Sequence, residues 1–384
     1  MTILSFNDIR VLHIAKYYPP FAGGIEHFVA DLHISLCNKN VQSYVLAHQH
    51  PDIKQSTLKK NFDRTTLVPV VGNFLYSPIS PLFPNYLIQY VQEIKPDIIH
   101  IHMPNVSAFW MLFFKITRKI PWVVHWHSDV VPSKIDKRMI LAYQLYKPFE
   151  YKMLRHAKKI IATSRPYLSS SKTLSSFQDK CHVIPLGVSQ FRFNSSNKKP
   201  ITFWNNDKFK ILSIGRLTYY KGYDTLIKAA KNLHNSQVII VGDGDKREYF
   251  ENMIFRIDVT NVNMIGFVEK DQIEQLLYSC DCLCLPSLER TEAFGLVLLE
   301  AMLFSKPVVA SSLPGPSWIV EHEKTGLLVK PGDVKALVDA LKLLMNSPKT
   351  RKQMGQASYD RFFDLFEIDQ ISNQIHDIYQ DISK

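Results

Sequence analysis

The sequence predicts an α/β protein of two parallel, doubly wound domains, and three observations carry that prediction. Short apolar runs bounded by polar turns alternate with amphipathic helical stretches, the grammar of strand–helix–strand units in a parallel sheet. The pattern restarts after a polar stretch, Asn194 to Asn206, so that each half repeats strand, loop and helix. The length of 384 residues suits two domains of ordinary size better than one. The expected division is residues 1–190, residues 191–365 and a C-terminal helical segment at 366–384.

In the first half, Arg10-VLHIA-Lys16 reads as a buried strand running into a Gly23-Gly24 turn and a helix that ends near Asn38. Strands follow at Val41 to Ala47, near Thr66 to Val70, and at Asp97-IIHIH-Met103, Trp122-VVHWH-Ser128 and Lys159-IIATS-Arg165. His182-VIPLGV closes the half. The second half opens with Phe209-KILSIGRL and a helix from Tyr223 to Asn232. Val238-IIVG, Val262-NMIGFV, a helix from Gln272 to Ser279, Asp281-CLCLP, Pro307-VVAS and Gly326-LLV continue it, and a helix from Val334 to Met345 leads into charged, amphipathic helices.

Composition narrows the class. No apolar stretch approaches the ~20 residues of a membrane-spanning helix, and Val106 to Phe114 ends in Lys115. The first residues lack a charged leader with a cleavage site, so a cytoplasmic location is expected. The net charge of +11 gathers in the first half, around Lys115, Arg118, Lys119, Lys134, Lys137, Arg138, Lys147, Lys152, Arg155, Lys158 and Lys159. Interleaved aromatics (Phe109, Trp110, Phe113, Phe114) favour the anionic inner face of a membrane as a partner. No nucleic-acid module is present, so nucleic acid is not expected. Cys280, Cys282 and Cys284 read as one face of a buried strand. His100, His102, His125 and His127 fall at strand ends, where ligands of such sheets bind. No carboxylate or thiolate accompanies them, so the expectation is packed histidines, no metal, and His127 alone in the site.

The most informative stretch runs from Leu285 to Pro307. A buried strand leads through a polar elbow to Ala293-Phe294-Gly295 and an apolar helix. Glu292 is expected on the loop and Glu300 on the second helical turn, both aimed into one cleft. The backbone N–H groups from Phe294 through Gly295 and Leu296 to Val297 form a helix start that favours an anion. Carboxylates beside a phosphate-type site make sense where they grip neutral hydroxyls, and phosphate with hydroxyls describes a sugar nucleotide. A second loop, Ile214-GRLTYYKG, projects Arg216 and Lys221 from another strand end. An arginine fork and a lysine point charge suit a diphosphate and the charge that develops on it as a leaving group.

With these residues in view, the chain resembles the glycosyltransferase family 4 group over essentially its whole length. The carriers are Gly23-Gly24, His127-Ser128-Asp129, Gly215-Arg216 with Lys221-Gly222, Val241-Gly242-Asp243-Gly244, and Glu292 with Phe294-Gly295 and Glu300. The resemblance implies a GT-B fold, two Rossmann-like domains facing across a cleft, with the final helix packing back on the first domain. It also implies a metal-independent, retaining transferase with no cofactor beyond a nucleotide-diphospho sugar as co-substrate. Arg216 and Lys221 would bind the diphosphate, Glu300 the ribose, and Glu292 with the backbone of Phe294 to Leu296 the transferred sugar. Gly23 and Gly24 would approach the phosphates, His127 the sugar hydroxyls near the reacting carbon, and Ile265, Phe267 and Val268 would border the base. Gly215, Gly242 and Val297 complete the expected donor site. One departure is Leu186 where the family has Asn before Gly187-Val188, which puts an acceptor or hinge role of that position in doubt.

The HSD and RLTYYKG segments resemble mannosyl- and rhamnosyltransferases, which makes GDP-mannose the first expected donor and a UDP-hexose the second. The expected acceptor is a glycan or lipid-linked sugar in surface polysaccharide (lipopolysaccharide-type) synthesis, at the inner face of the plasma membrane. No carboxylate stands out as a nucleophile for double displacement, and the resemblance favours front-face attack. An epimerase on the same fold and an inactive sugar-nucleotide-binding scaffold are the competing readings.

Overall fold

A computed structural model describes residues 9–21, 23–50, 64–74, 77–130, 137–193, 203–205 and 207–383. Ala22 of the glycine turn, Lys134 and most of the polar stretch at 194–206 lie outside the described residues. The chain forms two compact units, residues 1–187 with 368–384, and residues 188–367.

The first unit contains β1 (Arg10–Tyr17), α1 (Gly24–Asn38), β2 (Gln42–His48), β3 (Thr65–Val68), β4 (Gly72–Phe74), β5 (Ser77–Ile79) and α2 (Phe83–Ile94). It continues with β6 (Ile98–Met103), β7 (Trp122–Trp126), α3 (Lys137–His156), β8 (Lys159–Ala162) and β9 (Cys181–Val183). Seven strands form one sheet in the order β3-β2-β1-β6-β7-β8-β9, every pair parallel. Among the described residues only β4 and β5 pair antiparallel, as a separate ribbon. All residues of β6 and β7 are buried, which is why they read as unbroken apolar runs interrupted only by histidines.

The second unit contains β10 (Phe209–Ile214), α4 (Tyr223–Ala230), β11 (Ser236–Val241), α5 (Arg247–Arg256), β12 (Val262–Gly266) and α6 (Lys270–Ser279). It is completed by β13 (Cys282–Leu285), α7 (Leu296–Leu303), β14 (Val308–Ser311), β15 (Gly326–Val329), α8 (Val334–Asn346) and α9 (Pro348–Leu365). Its six strands run parallel in the order β12-β11-β10-β13-β14-β15. Its core joins Ile211, Val238, Ile240, Cys282 and Cys284 of the sheet to Leu226 and Ile227 of α4 and Leu341 of α8. Each large aliphatic buried this fully contributes about 1.5–3 kcal/mol.

Two local expectations are corrected. Cys280 closes α6 instead of lying on the strand; Cys282 and Cys284 alone share β13, and all three are buried free thiols. The helix expected from Gln272 begins at Lys270, because Glu269 caps it in a capping box with Gln272.

After α9 the chain rejoins the first unit as α10 (Ile368–Ser383), which buries Ile371, Ile375, Ile378 and Tyr379 along one stripe. It lies on α1, where Ser372 meets Ser35 at 2.8 Å and Lys39 donates to Asn373 at 2.6 Å. The Tyr379 hydroxyl reaches the ring of His100 on β6. In both sheets the strand order reverses beside the first strand of the unit, between β1 and β6 and between β10 and β13. Ligands of doubly wound sheets bind beyond the carboxyl ends of the strands at such switch points.

Candidate active site

At the switch point of the second unit two loops meet. The chain leaving β10 passes Gly215 and Arg216, makes a single tight turn at Tyr219–Lys221 and enters α4 through Gly222, whose φ of +70° is left-handed. The chain leaving β13 passes Pro286 to Ala293 and enters α7 through Gly295, also left-handed at φ +95°. A side chain at either glycine would be strained, and a Cβ on Gly222 would strike the carbonyl of Pro286. The loops are clipped together by Leu288 N–H donating to the Tyr220 carbonyl at 2.7 Å and by Tyr219 Oη donating to Glu289 Oε2 at 3.3 Å.

Lys221 Nζ donates to Glu292 Oε2 at 2.6 Å, and Ser287 Oγ donates to the same oxygen at 2.9 Å. The side chains of Lys221 and Glu292 are 13% and 10% exposed. Burial works against the Lys221 charge, but Glu292 outweighs it and holds the ammonium above the ordinary lysine value. The pair therefore sums to no net charge. What faces an anion here is the exposed Arg216 on the same loop and the start of α7. Phe294 and Leu296 are buried and Val297 half-buried, so it is their backbone that the helix start offers.

Glu300, in the second turn of α7, accepts from Arg192 Nη1 at 2.8 Å, with side chains 16% and 8% exposed. Arg192 was not singled out from the sequence; its one signal is a cation set between Phe191 and Phe193 just past Leu186-Gly187-Val188. Ser287 was missed as well. Gly215 and Gly242 pack backbone to backbone at the ends of β10 and β11, where a Cβ on Gly242 would meet the Gly215 carbonyl. Near the end of β12, Ile265 is half-buried, and just beyond the strand Phe267 is 65% exposed and Val268 is buried.

At the switch point of the first unit, Gly23 caps α1 in extended backbone and Gly24 is the first helical residue. The space a Cβ on Gly23 would need is filled by the carboxyl group of Glu26. Burial raises the pKa of that carboxyl group, against a backbone hydrogen bond at the helix start. The glycine pair thus accommodates an internal carboxylate at the helix start.

His127 leaves the end of β7 and is only 2% exposed. Its Nε2 meets His102 Nδ1 at 2.9 Å, and His102 Nε2 meets His13 Nδ1 at 3.0 Å. The paired rings are tilted by only 17° and 19°, so the three imidazoles form an edge-to-edge chain from β1 through β6 to β7. His125 stacks on His127 at 4.3 Å and 7°, and Phe28 of α1 stands edge-on to both. Burial holds all five imidazoles, with His100, well below the usual histidine value, His127 at about 3. Two triplets, His13-His100-His102 and His102-His125-His127, bring ring nitrogens within 4.8 Å of one another, close enough for a metal. Stacked and edge-bonded rings, however, aim their lone pairs along near-parallel planes rather than at one point.

Asp129 fixes the turn after β7: Trp126 Nε1 and Ser171 Oγ donate to its Oδ1 at 2.8 and 2.7 Å. Behind it, burial and then the Asp129 charge push the Glu150 carboxyl up to about 8. Neither Glu150 nor His13 was identified from the sequence.

Comparison with known families places both halves of the chain. The family model "Glycosyl transferases group 1" matches residues 194–361, and "Glycosyltransferase Family 4" matches residues 22–190. The chain belongs to the family 4-type glycosyltransferases. The transferase is 29% identical over 378 residues to the O-antigen chain mannosyltransferase C of Escherichia coli, covering 97% of this chain and 98% of that one. It is 28% identical over 374 residues to the D-rhamnosyltransferase WbpZ of Pseudomonas aeruginosa, covering 93% and 92%. Among solved structures, sucrose-phosphate synthase of Thermosynechococcus elongatus superposes with a TM-score of 0.77 at 21% identity, covering 98% and 99%. The Anabaena protein HepE, solved with UDP and glucose, gives 0.76 at 20%, covering 97% and 100%. The fold is therefore the two-unit, Rossmann-like GT-B architecture that the resemblance implied.

Proposed function

We propose that this transferase moves a hexose, mannose from GDP-mannose before any other, from a nucleotide-diphospho sugar to a glycan or lipid-linked acceptor of a surface polysaccharide. The observation that carries the reading is the Lys221–Glu292–Ser287 set beside the start of α7 at the switch point of the second unit. In this reading Arg216 and the α7 amides take the diphosphate and stabilise the charge that grows on it as the glycosidic bond breaks. Lys221, kept protonated by Glu292, anchors that carboxylate at the loop junction instead of adding net charge. Glu292 and Glu300 hold hydroxyls of the sugar and the ribose. The chemistry needs no metal, proceeds with retention of configuration, and takes place on the cytoplasmic side of an anionic membrane.

The choice of mannose leans on the Escherichia coli and Pseudomonas aeruginosa relatives, whose names specify mannosyl and rhamnosyl transfer. The test is thermal stabilisation by a panel of nucleotides and nucleotide sugars, followed by product analysis with the donor that binds. Binding to the folded state alone raises the melting temperature by mass action. Stabilisation by GDP and GDP-mannose is the expected result. Stabilisation by UDP-sugars alone overturns the donor, and no stabilisation by any of them overturns the transferase chemistry.

A further inference from the structure

We propose that the face built by Val106–Leu112, the short helix Lys115–Arg118 and α3 is a docking surface for an anionic lipid bilayer. This rests on the membrane location proposed above and deepens it by assigning the face. The face is apolar where an ordinary surface is not: Trp110 is 42% exposed, Phe113 58%, Leu141 68% and Leu145 69%. These side chains form one patch. The rings of Trp110 and Phe113 lie 5.9 Å apart, and Phe113 reaches Phe149 of α3 at 6.1 Å. Leu141, Leu145 and Phe149 follow at helical spacing of four on one side of α3. Scattered exposed apolar residues are normal, but a contiguous aromatic and aliphatic patch marks an interaction site.

Charge selects the occupant. Residues 105–159 hold eleven Lys and Arg against three Asp and Glu, most of the +11 of the chain. Lys115, Arg118, Lys147 and Lys152 are exposed around the patch, whereas Glu150 is buried on the inner side of α3. A second copy of the chain would bring like charges together. Nucleic acid would answer the cations but leave the leucines in water. An anionic bilayer answers both, with Trp and Phe at headgroup level, Leu in the acyl boundary and each cation adding about 1 kcal/mol.

The experiment is sedimentation of the full chain with vesicles of phosphatidylcholine alone and of phosphatidylcholine mixed with phosphatidylglycerol. The wild type is expected to bind the mixed vesicles and to be released by salt. Leu141→Ser/Leu145→Ser should lower partitioning by roughly tenfold or more, and Lys147→Glu/Lys152→Glu should abolish the preference for the anionic lipid. All three proteins are also heated with nucleotide diphosphates, because neither double variant touches the donor loops. Equal partitioning of variants and wild type, or a concentration-dependent dimer abolished by the leucine changes, overturns the docking surface even while nucleotide still stabilises. Loss of vesicle binding with nucleotide stabilisation intact supports it. Vesicle binding without nucleotide stabilisation supports the surface while removing the transferase reading.

Discussion

Lys221 and Glu292 neutralise each other across 2.6 Å, with the hydroxyl of Ser287 on the same carboxylate oxygen. A buried pair of this kind is costly to break from one side, because the surviving charge is left unmatched. Lys221→Met and Glu292→Gln are each expected to lower stability by about 3 kcal/mol and kcat by ~100-fold or more. Combining them should return part of the stability and none of the activity. Urea unfolding with steady-state kinetics separates the two effects, and strictly additive stability losses would sink the pairing.

Arg192 holds Glu300 as Lys221 holds Glu292, from a turn far away in sequence. Arg192→Ala should leave Glu300 without its anchor and raise the donor KM about tenfold, or about 1.4 kcal/mol, with kcat little changed. Glu300→Gln should do the same, and the double variant should cost no more than either single change. A double variant whose KM rises by the product of the two would show that they act separately.

The imidazole chain predicts opposite outcomes for two neighbouring histidines. His102 uses both nitrogens, so His102→Phe leaves His13 and His127 each short of a partner and should cost about 3 kcal/mol. His125 has no partner for either nitrogen among the described residues and is held by ring stacking. His125→Phe keeps an aromatic ring there and should change stability by less than about 1 kcal/mol. Equal losses in denaturant unfolding would refute the distinction.

Stability should depend on pH through the same cluster. In the unfolded chain these imidazoles take up protons below about pH 6.5. In the folded chain burial, with the neighbouring imidazoles, keeps them neutral far below that value. The unfolded state therefore binds more protons in acid, so stability is complete above about pH 6.5 and falls as the pH drops. One unit lower, each histidine removes about 1.4 kcal/mol, and five together approach the whole stability of a typical domain, about 5–15 kcal/mol. The urea midpoint of the first unit, followed by its tryptophan signal, should hold above about pH 6.5 and fall steeply as the pH drops to about 5.5. A flat profile would contradict it.

Much of the fold was legible because strands of a parallel sheet are buried on both faces and so stand out as apolar runs. β6 and β7 could be read almost to the residue. Boundaries failed where a cap decided them, as at Glu269 and Cys280. Glu292 and Lys221 could be placed on strand-end loops, but sequence spacing gave no sign that they bond to each other. Glu300 and Arg192 lie 108 positions apart, and no local pattern links them. The histidines show the limit most clearly. Alternation on each strand was visible, whereas the order that sets β1 beside β6 and β6 beside β7 was not, and only that order lines His13 up with His102 and His127.

The return of α10 to the first unit has a consequence for how the chain is made. A ribosome extends α1 long before it reaches Ile371, Ile375 and Tyr379 of the helix that packs on it. In between it must produce the whole of residues 188–367. At about 5–20 residues per second, that interval lasts roughly 10–40 s, during which the outer face of α1 and the His100 ring wait uncovered. A chain cut short before Ile368 would therefore hold every element of the second unit and leave the first without the helix that packs on α1.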